Sequence, residues 1–100
     1  MEKNEKIHTF YVLECNDGSY YAGYTNDLDK RINVHNEGKG AKYTRARRPV
    51  ACIYNEIFDT KREAMQAEYA FKQLSRKQKV HYMGGQIDDE ISEIDGARTN

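Results

Sequence analysis

The chain has 100 residues, of which 38% are apolar and 32% charged, with eight Tyr, three Phe and no Trp. That length makes one compact domain, and a single Pro with seven Gly excludes a fibrous or low-complexity chain. Sixteen bases balance sixteen acids, no apolar run approaches a bilayer span, and the polar opening Met1 to Lys6 lacks the core of a signal peptide. A cytoplasmic protein with no membrane partner is expected.

From the N-terminus, His8 to Glu14 is rich in β-branched and aromatic residues and predicts a strand. Asn16-Asp17-Gly18-Ser19 signals a turn, and Tyr20 to Thr25 predicts a second strand, closing a hairpin. A two-residue Asp17-Gly18 loop would put Tyr11 and Tyr21 on opposite faces. A three-residue loop with Gly18 in the left-handed region would put Tyr11, Leu13, Tyr21 and Gly23 on one face. The sequence leaves both registers open. Asn26 is expected to begin a helix, with Asp29 completing its cap, running from about Asp27 to Glu37 and stopping at Gly38. Leu28, Ile32 and Val34 would face inward, and the four-residue spacing puts Arg31 and His35 on one face.

Gly38 to Arg48 reads as a basic loop containing Tyr43, and Pro49 opens a third strand from about Val50 to Phe58. There Ala51, Ile53 and Glu56 depart from strict alternation. Thr60-Lys61-Arg62-Glu63 has the pattern of a capping box and starts the longest helix, whose buried stripe is Ala64, Ala67, Phe71 and Leu74. Glu68 falls on the margin of that stripe. Ser75 with Gln78 caps a short last helix ending near Met83. The order β-β-α-β-α-α predicts an α+β domain: a small three-stranded antiparallel sheet flanked by helices. Residues 1–85 form this domain, and 86–100 read as an acidic, mobile tail.

The zero net charge conceals an asymmetry. Between Lys30 and Arg48 there are seven bases against one acid, Glu37. Lys39, Lys42, Arg45, Arg47 and Arg48, with Tyr43 interleaved to stack on a base, make a plausible nucleic-acid surface. Cys15 and Cys52 are expected as free thiols, and with His8, His35 and His81 they lack the spacing of a zinc site.

The tripeptides Thr9-Phe10-Tyr11 and Tyr21-Ala22-Gly23 stand ten residues apart across the hairpin, followed by Arg31 and His35 on one helix and Glu68 on a later one. This series resembles the GIY-YIG nuclease superfamily. Asp17-Gly18-Ser19, the stretch Gly38 to Arg45 and Arg47-Arg48-Pro49 are similar to its small single-domain bacterial subfamily. The resemblance covers roughly residues 8 to 83. It implies a metal-dependent phosphodiesterase acting on DNA, with Tyr11 and Tyr21 as the motif tyrosines, Arg31 as the helix arginine and Glu68 as the metal-binding carboxylate.

These residue types suit that chemistry. A single Mg²⁺ or Mn²⁺ held by one carboxylate and waters can neutralise phosphoryl charge, and the planar fork of Arg31 fits a phosphate oxygen pair. Tyr11 or Tyr21 would position or deprotonate water, for which Arg31 or the metal must lower a phenol pKa of ~10. His35 suits acid, base or phosphate-donor roles. The expected function is a divalent-metal-dependent DNA endonuclease selective for branched, nicked or single-stranded structure. The alternative is a nucleic-acid-binding module on the same fold with little turnover, because no Asn occurs between Asn55 and Asn100, where many such nucleases carry one.

Overall fold

The computed structural model describes residues 7–85, so the acidic tail lies outside the described residues. Strands β1 (His8–Glu14), β2 (Tyr20–Thr25) and β3 (Ala51–Phe58) form an antiparallel sheet in the order β2-β1-β3. Helices α1 (Leu28–Asn36), α2 (Lys42–Arg45), α3 (Lys61–Lys72) and α4 (Arg76–Tyr82) complete it. The expected α+β order holds, and the basic loop contains one feature not foreseen, the single helical turn α2.

The hairpin takes the three-residue loop. Cys15 N–H donates to Ser19 C=O at 2.8 Å and Gly18 N–H to Cys15 C=O at 2.9 Å, with Gly18 at φ 85°. The Asp17 carboxylate accepts the Ser19 amide at 3.0 Å and so fixes the turn locally. Tyr11 therefore lies opposite Gly23 and Leu13 opposite Tyr21.

Central β1 is covered on both sides, which is why Phe10 to Leu13 reads as a continuous apolar run. Phe10 and Val12 pack with Ala22 and Phe71 beneath α3, while Tyr11, Leu13, Cys15 and Val50 pack with Leu28 and Ile32 of α1. The broken alternation of β3 has a physical cause. Val12 pairs with Tyr54 but Leu13 with Cys52, leaving Ile53 as the extra residue of a bulge. Tyr54 thus serves the α3 face and Cys52 the α1 face.

The helix ends follow their capping chemistry, with two adjustments. Asp27, not Asn26, is the N-cap of α1, accepting the Lys30 amide at 3.2 Å. At Thr60 the Glu63 carboxylate takes the threonine hydroxyl at 3.2 Å. Gly38, at φ 81°, ends α1, donating to His35 C=O while Lys39 donates to Val34 C=O. Ala64 and Phe71 are buried as the stripe of α3 requires, whereas Val34 is only half-buried and does not join either core cluster. Cys15 and Cys52 are unbridged.

Candidate active site

The face of the sheet beneath α1 holds a buried polar chain. Tyr11 Oη lies 3.0 Å from His35 Nε2, His35 Nδ1 lies 2.8 Å from Thr44 Oγ1, and the Thr44 hydroxyl donates to Ala41 C=O at 3.0 Å. Tyr11, His35 and Thr44 are 2%, 1% and 0% exposed. The hairpin register presents Tyr11, the last turn of α1 presents His35, and the short turn α2 presents Thr44.

Two glycines make room for this chain. A Cβ on Gly23 would stand 2.5 Å from the Tyr11 hydroxyl, and one on Gly40 would collide with the His35 imidazole at Nδ1. Either side chain would push the pair apart. Gly23 is thus required by the cross-strand position of Tyr11, and Gly40 by the approach of the loop to His35 rather than by loop flexibility alone.

Of the remaining predicted residues, Tyr21 packs against this chain. The Tyr21 ring meets the His35 ring edge-on at 5.3 Å and stacks on Tyr43 at 6.2 Å, and the Arg47 guanidinium covers Tyr43 at 3.8 Å. Arg31 is exposed on α1 one turn before His35. Glu68 is half-buried on α3, its carboxylate 2.8 Å from Lys72 Nζ.

Burial holds the Tyr11 phenol well above its usual range, the nearby Tyr21 and Glu68 push it the same way, and Arg31 opposes them. A base role for Tyr11 or Tyr21 needs the metal or Arg31 to lower the phenol pKa, and Arg31 does act in that direction on Tyr11. For Tyr11 desolvation outweighs the arginine, and the phenol keeps its proton. Burial, and then the charge of Arg31, pull His35 below its ordinary value, so the imidazole is neutral at pH 7.

The basic stretch divides into two groups. Lys39, Lys42 and Arg45 are exposed. Arg47 instead binds Asp17 of the hairpin at 3.1 Å and the Tyr43 carbonyl at 2.9 Å, and Arg48 donates to the carbonyls of Arg45 and Asn36 at 2.9 and 3.3 Å. These two arginines shape the loop that carries Thr44. The side-chain amide of Asn36 adds to this by exchanging hydrogen bonds with both backbone groups of Val50, at 2.8 and 3.0 Å.

Beside Tyr21 a cleft of about 260 Å³ is lined by Tyr20, Tyr43 and Phe71 together with Lys72 and Lys79. A larger groove of about 550 Å³ runs along α4 from Leu74 to Tyr82 and shares no residue with the polar chain. The smaller cleft holds none of the three residues of the polar chain either, but it contains Tyr21, whose ring packs on His35. Sequence reasoning gave no role to Thr44. Its signal was a hydroxyl inside an otherwise basic stretch, three residues after a carbonyl it can reach.

For a metal, the described residues contain no group of three His, Cys, Asp or Glu side chains. They do offer Glu68, which already holds a cation, the Lys72 ammonium, on a long exposed stem. One carboxylate of this kind fits a hard divalent ion that keeps most of its water shell. It does not fit a tightly caged transition metal.

Tyr11 of the central strand thus bonds to His35 of α1 in a small α+β domain, with Arg31 carried on α1 and Glu68 on α3. The sequence matches the GIY-YIG catalytic domain over residues 7–82, and the chain belongs to that family. It is 70% identical to a UPF0213 protein of Bacillus cereus (strain ATCC 10987 / NRS 248) over 83 residues, 83% of this chain and 84% of the relative. The solution NMR structure of protein EF2693 from E. faecalis is similar, with 52% identity and a TM-score of 0.58, covering 83% of this chain and 88% of that one. That of the UPF0213 protein BH0048 from Bacillus halodurans has 50% identity and a TM-score of 0.53, covering 78% and 83%. Among the described residues no helix is long and apolar enough to cross a membrane.

Proposed function

We propose that this protein is a divalent-metal-dependent DNA endonuclease that hydrolyses phosphodiester bonds and selects its substrate by structure. The observation that carries the reading is the buried Tyr11–His35 hydrogen bond, set among Tyr21, Arg31 and Glu68. A phenol held above its normal pKa is a poor free base. It is well suited to a relay, in which Tyr11 Oη takes a proton from the attacking water while passing its own to His35 Nε2, so that no phenolate forms. The Arg31 guanidinium binds the phosphoryl oxygens through two N–H groups. Tyr21, half-buried beside His35, orients the phosphate from the other side. Glu68 would hold Mg²⁺ or Mn²⁺ through its carboxylate, with Lys72 displaced toward the phosphate. The ion supplies charge neutralisation at the phosphoryl group.

Lys39, Lys42 and Arg45 attract the backbone from the exposed side of the loop. The aromatic cleft beside Tyr21 has room for one unpaired base, which supports a preference for branched, nicked or single-stranded DNA. The cytoplasm is the expected compartment for such an enzyme.

The second reading, a nucleic-acid-binding module with little turnover, is favoured by the Glu68–Lys72 pair, because a carboxylate satisfied within its own helix has less need of a metal. Cleavage of single-stranded, duplex and branched DNA with Mg²⁺, Mn²⁺ or chelator, wild type beside Glu68→Ala, separates the two. Metal-dependent cutting that falls at least about a hundredfold in Glu68→Ala, with binding retained, is expected. Salt-sensitive binding without cutting by the wild type would overturn the nuclease reading in favour of the module.

A further inference from the structure

We infer that Thr44 is a positioning residue: its hydroxyl fixes His35 in the tautomer that carries hydrogen on Nδ1, leaving the Nε2 lone pair for the proton of Tyr11. This rests on the proposed relay for its functional consequence, but the tautomer itself is a property of the protein alone.

The inference comes from accounting for each hydrogen in a dry chain. The Ala41 carbonyl can only accept, and it receives the Thr44 hydroxyl hydrogen at 3.0 Å. Thr44 Oγ1 has then no hydrogen left to give and accepts from His35 Nδ1–H at 2.8 Å. A neutral imidazole with hydrogen on Nδ1 has its lone pair on Nε2, which accepts the Tyr11 O–H at 3.0 Å. Every polar hydrogen in the chain is used.

Run the other way, Nε2–H would donate to Tyr11 Oη, and the Tyr11 hydroxyl hydrogen would lose its partner in a site only 2% exposed. An orphaned buried donor is disfavoured by about 1–3 kcal/mol. That direction would also leave Tyr11 unable to pass its proton to His35.

The surroundings support a fixed ring rather than a mobile one. The loop backbone passes His35 so closely that a Cβ on Gly40 would overlap Nδ1, Cγ and Cε1, and the Tyr21 edge closes another side of the ring. Thr44 is itself held by position. It is fully buried at the end of a turn whose flanks are tied down by Arg47 to the hairpin and by Arg48 to the end of α1. A threonine three residues after Ala41 puts hydroxyl and carbonyl within one turn, so acceptor and donor roles are set by local backbone geometry.

The test reads the tautomer directly. Long-range ¹H–¹⁵N NMR of the His35 ring, on the full chain at neutral pH without DNA or metal, is expected to show hydrogen on Nδ1 and a free lone pair on Nε2. Thr44→Val, of nearly the same shape, removes the acceptor of Nδ1–H, so the ring is expected to lose the single Nδ1–H form and populate both tautomers, and Thr44→Ser to restore the single form. In cleavage assays the Val variant should lower the single-turnover rate by roughly a hundredfold with little change in DNA affinity, and the Ser variant should recover most of it.

A wild-type spectrum with hydrogen on Nε2 overturns the inference without any variant. So does a folded Thr44→Val protein whose His35 keeps hydrogen on Nδ1 alone, as in the wild type. If the spectra agree with expectation and no DNA is cut, the nuclease reading fails while the assignment of Thr44 stands.

Discussion

The two faces of the sheet are held together by different physics. Under α3 and α4 the contacts are aromatic and apolar: Phe10 lies 5.4 Å from Phe71 and 6.2 Å from Tyr82, and Phe71 lies 5.7 Å from Tyr82. Under α1 a comparable depth is filled by Tyr11, His35 and Thr44, joined in series by hydrogen bonds. The apolar face tolerates small shifts, since dispersion and area burial are not directional. The polar face does not, since each group there is satisfied only in one arrangement. Both sides bury an apolar cluster, and the side under α1 adds to its own a chain of hydrogen bonds that fixes one geometry.

That division is broken most severely by Phe71→Ala. The ring is 1% exposed and touches the central strand, so its loss should lower stability by about 3–5 kcal/mol, much of what a domain of this size has. Urea unfolding followed by circular dichroism measures it. A loss below about 1 kcal/mol would show that α3 is not the main anchor.

The counterpart on the other face is Tyr11→Phe. It keeps the ring, removes one hydrogen bond and leaves His35 Nε2 unsatisfied, which should lower stability by only about 1–2 kcal/mol. Cleavage should nevertheless fall by about a hundredfold or more in the single-turnover rate. Near-normal cleavage by Tyr11→Phe would remove the relay and shift the burden to Tyr21.

The apolar face was the more legible one in the sequence. Ala64, Ala67, Phe71 and Leu74 recur at helical spacing, and a period is visible without knowing what packs against it. The polar face was legible in its parts only. The resemblance singled out Tyr11, Tyr21, Arg31 and Glu68, but the shared face of Tyr11 and Tyr21 depends on a hairpin register closed by one left-handed residue, Gly18. Gly23 and Gly40 enter the sequence reading only as members of motifs, because the need for a missing Cβ arises only when a residue far along the chain comes near. Arg47 and Arg48 show the reverse problem. A basic run looks alike whether its guanidinium groups face a phosphate or the loop's own carbonyls.

The mildest way to separate the faces is pH, because the two respond at opposite ends of the scale. Glu56 Oε1 accepts the hydroxyls of Tyr82 at 3.0 Å and Tyr54 at 3.1 Å, joining α4 to β3. Burial, then the bond to Glu56 and its charge, push Tyr82 up to about 12. A folded pKa above the unfolded value of ~10 means that this contribution is complete below pH 10 and is lost as pH rises through about 12. For His35 the folded value is lowered instead, so its contribution is complete above the unfolded value of ~6.5 and is lost as pH falls below it. Stability should thus decline at high pH partly through the aromatic face and at low pH partly through the polar one. Tyr82→Phe, compared with wild type by thermal melts from about pH 4 to 12, should flatten the alkaline decline and leave the acid side unchanged. The change stays small because the Tyr82 ring is 41% exposed and water screens the new charge beside Glu56. Parallel alkaline curves would show that the Glu56 bridge contributes nothing to holding α4, and that the aromatic contacts with Phe10 and Phe71 hold it alone.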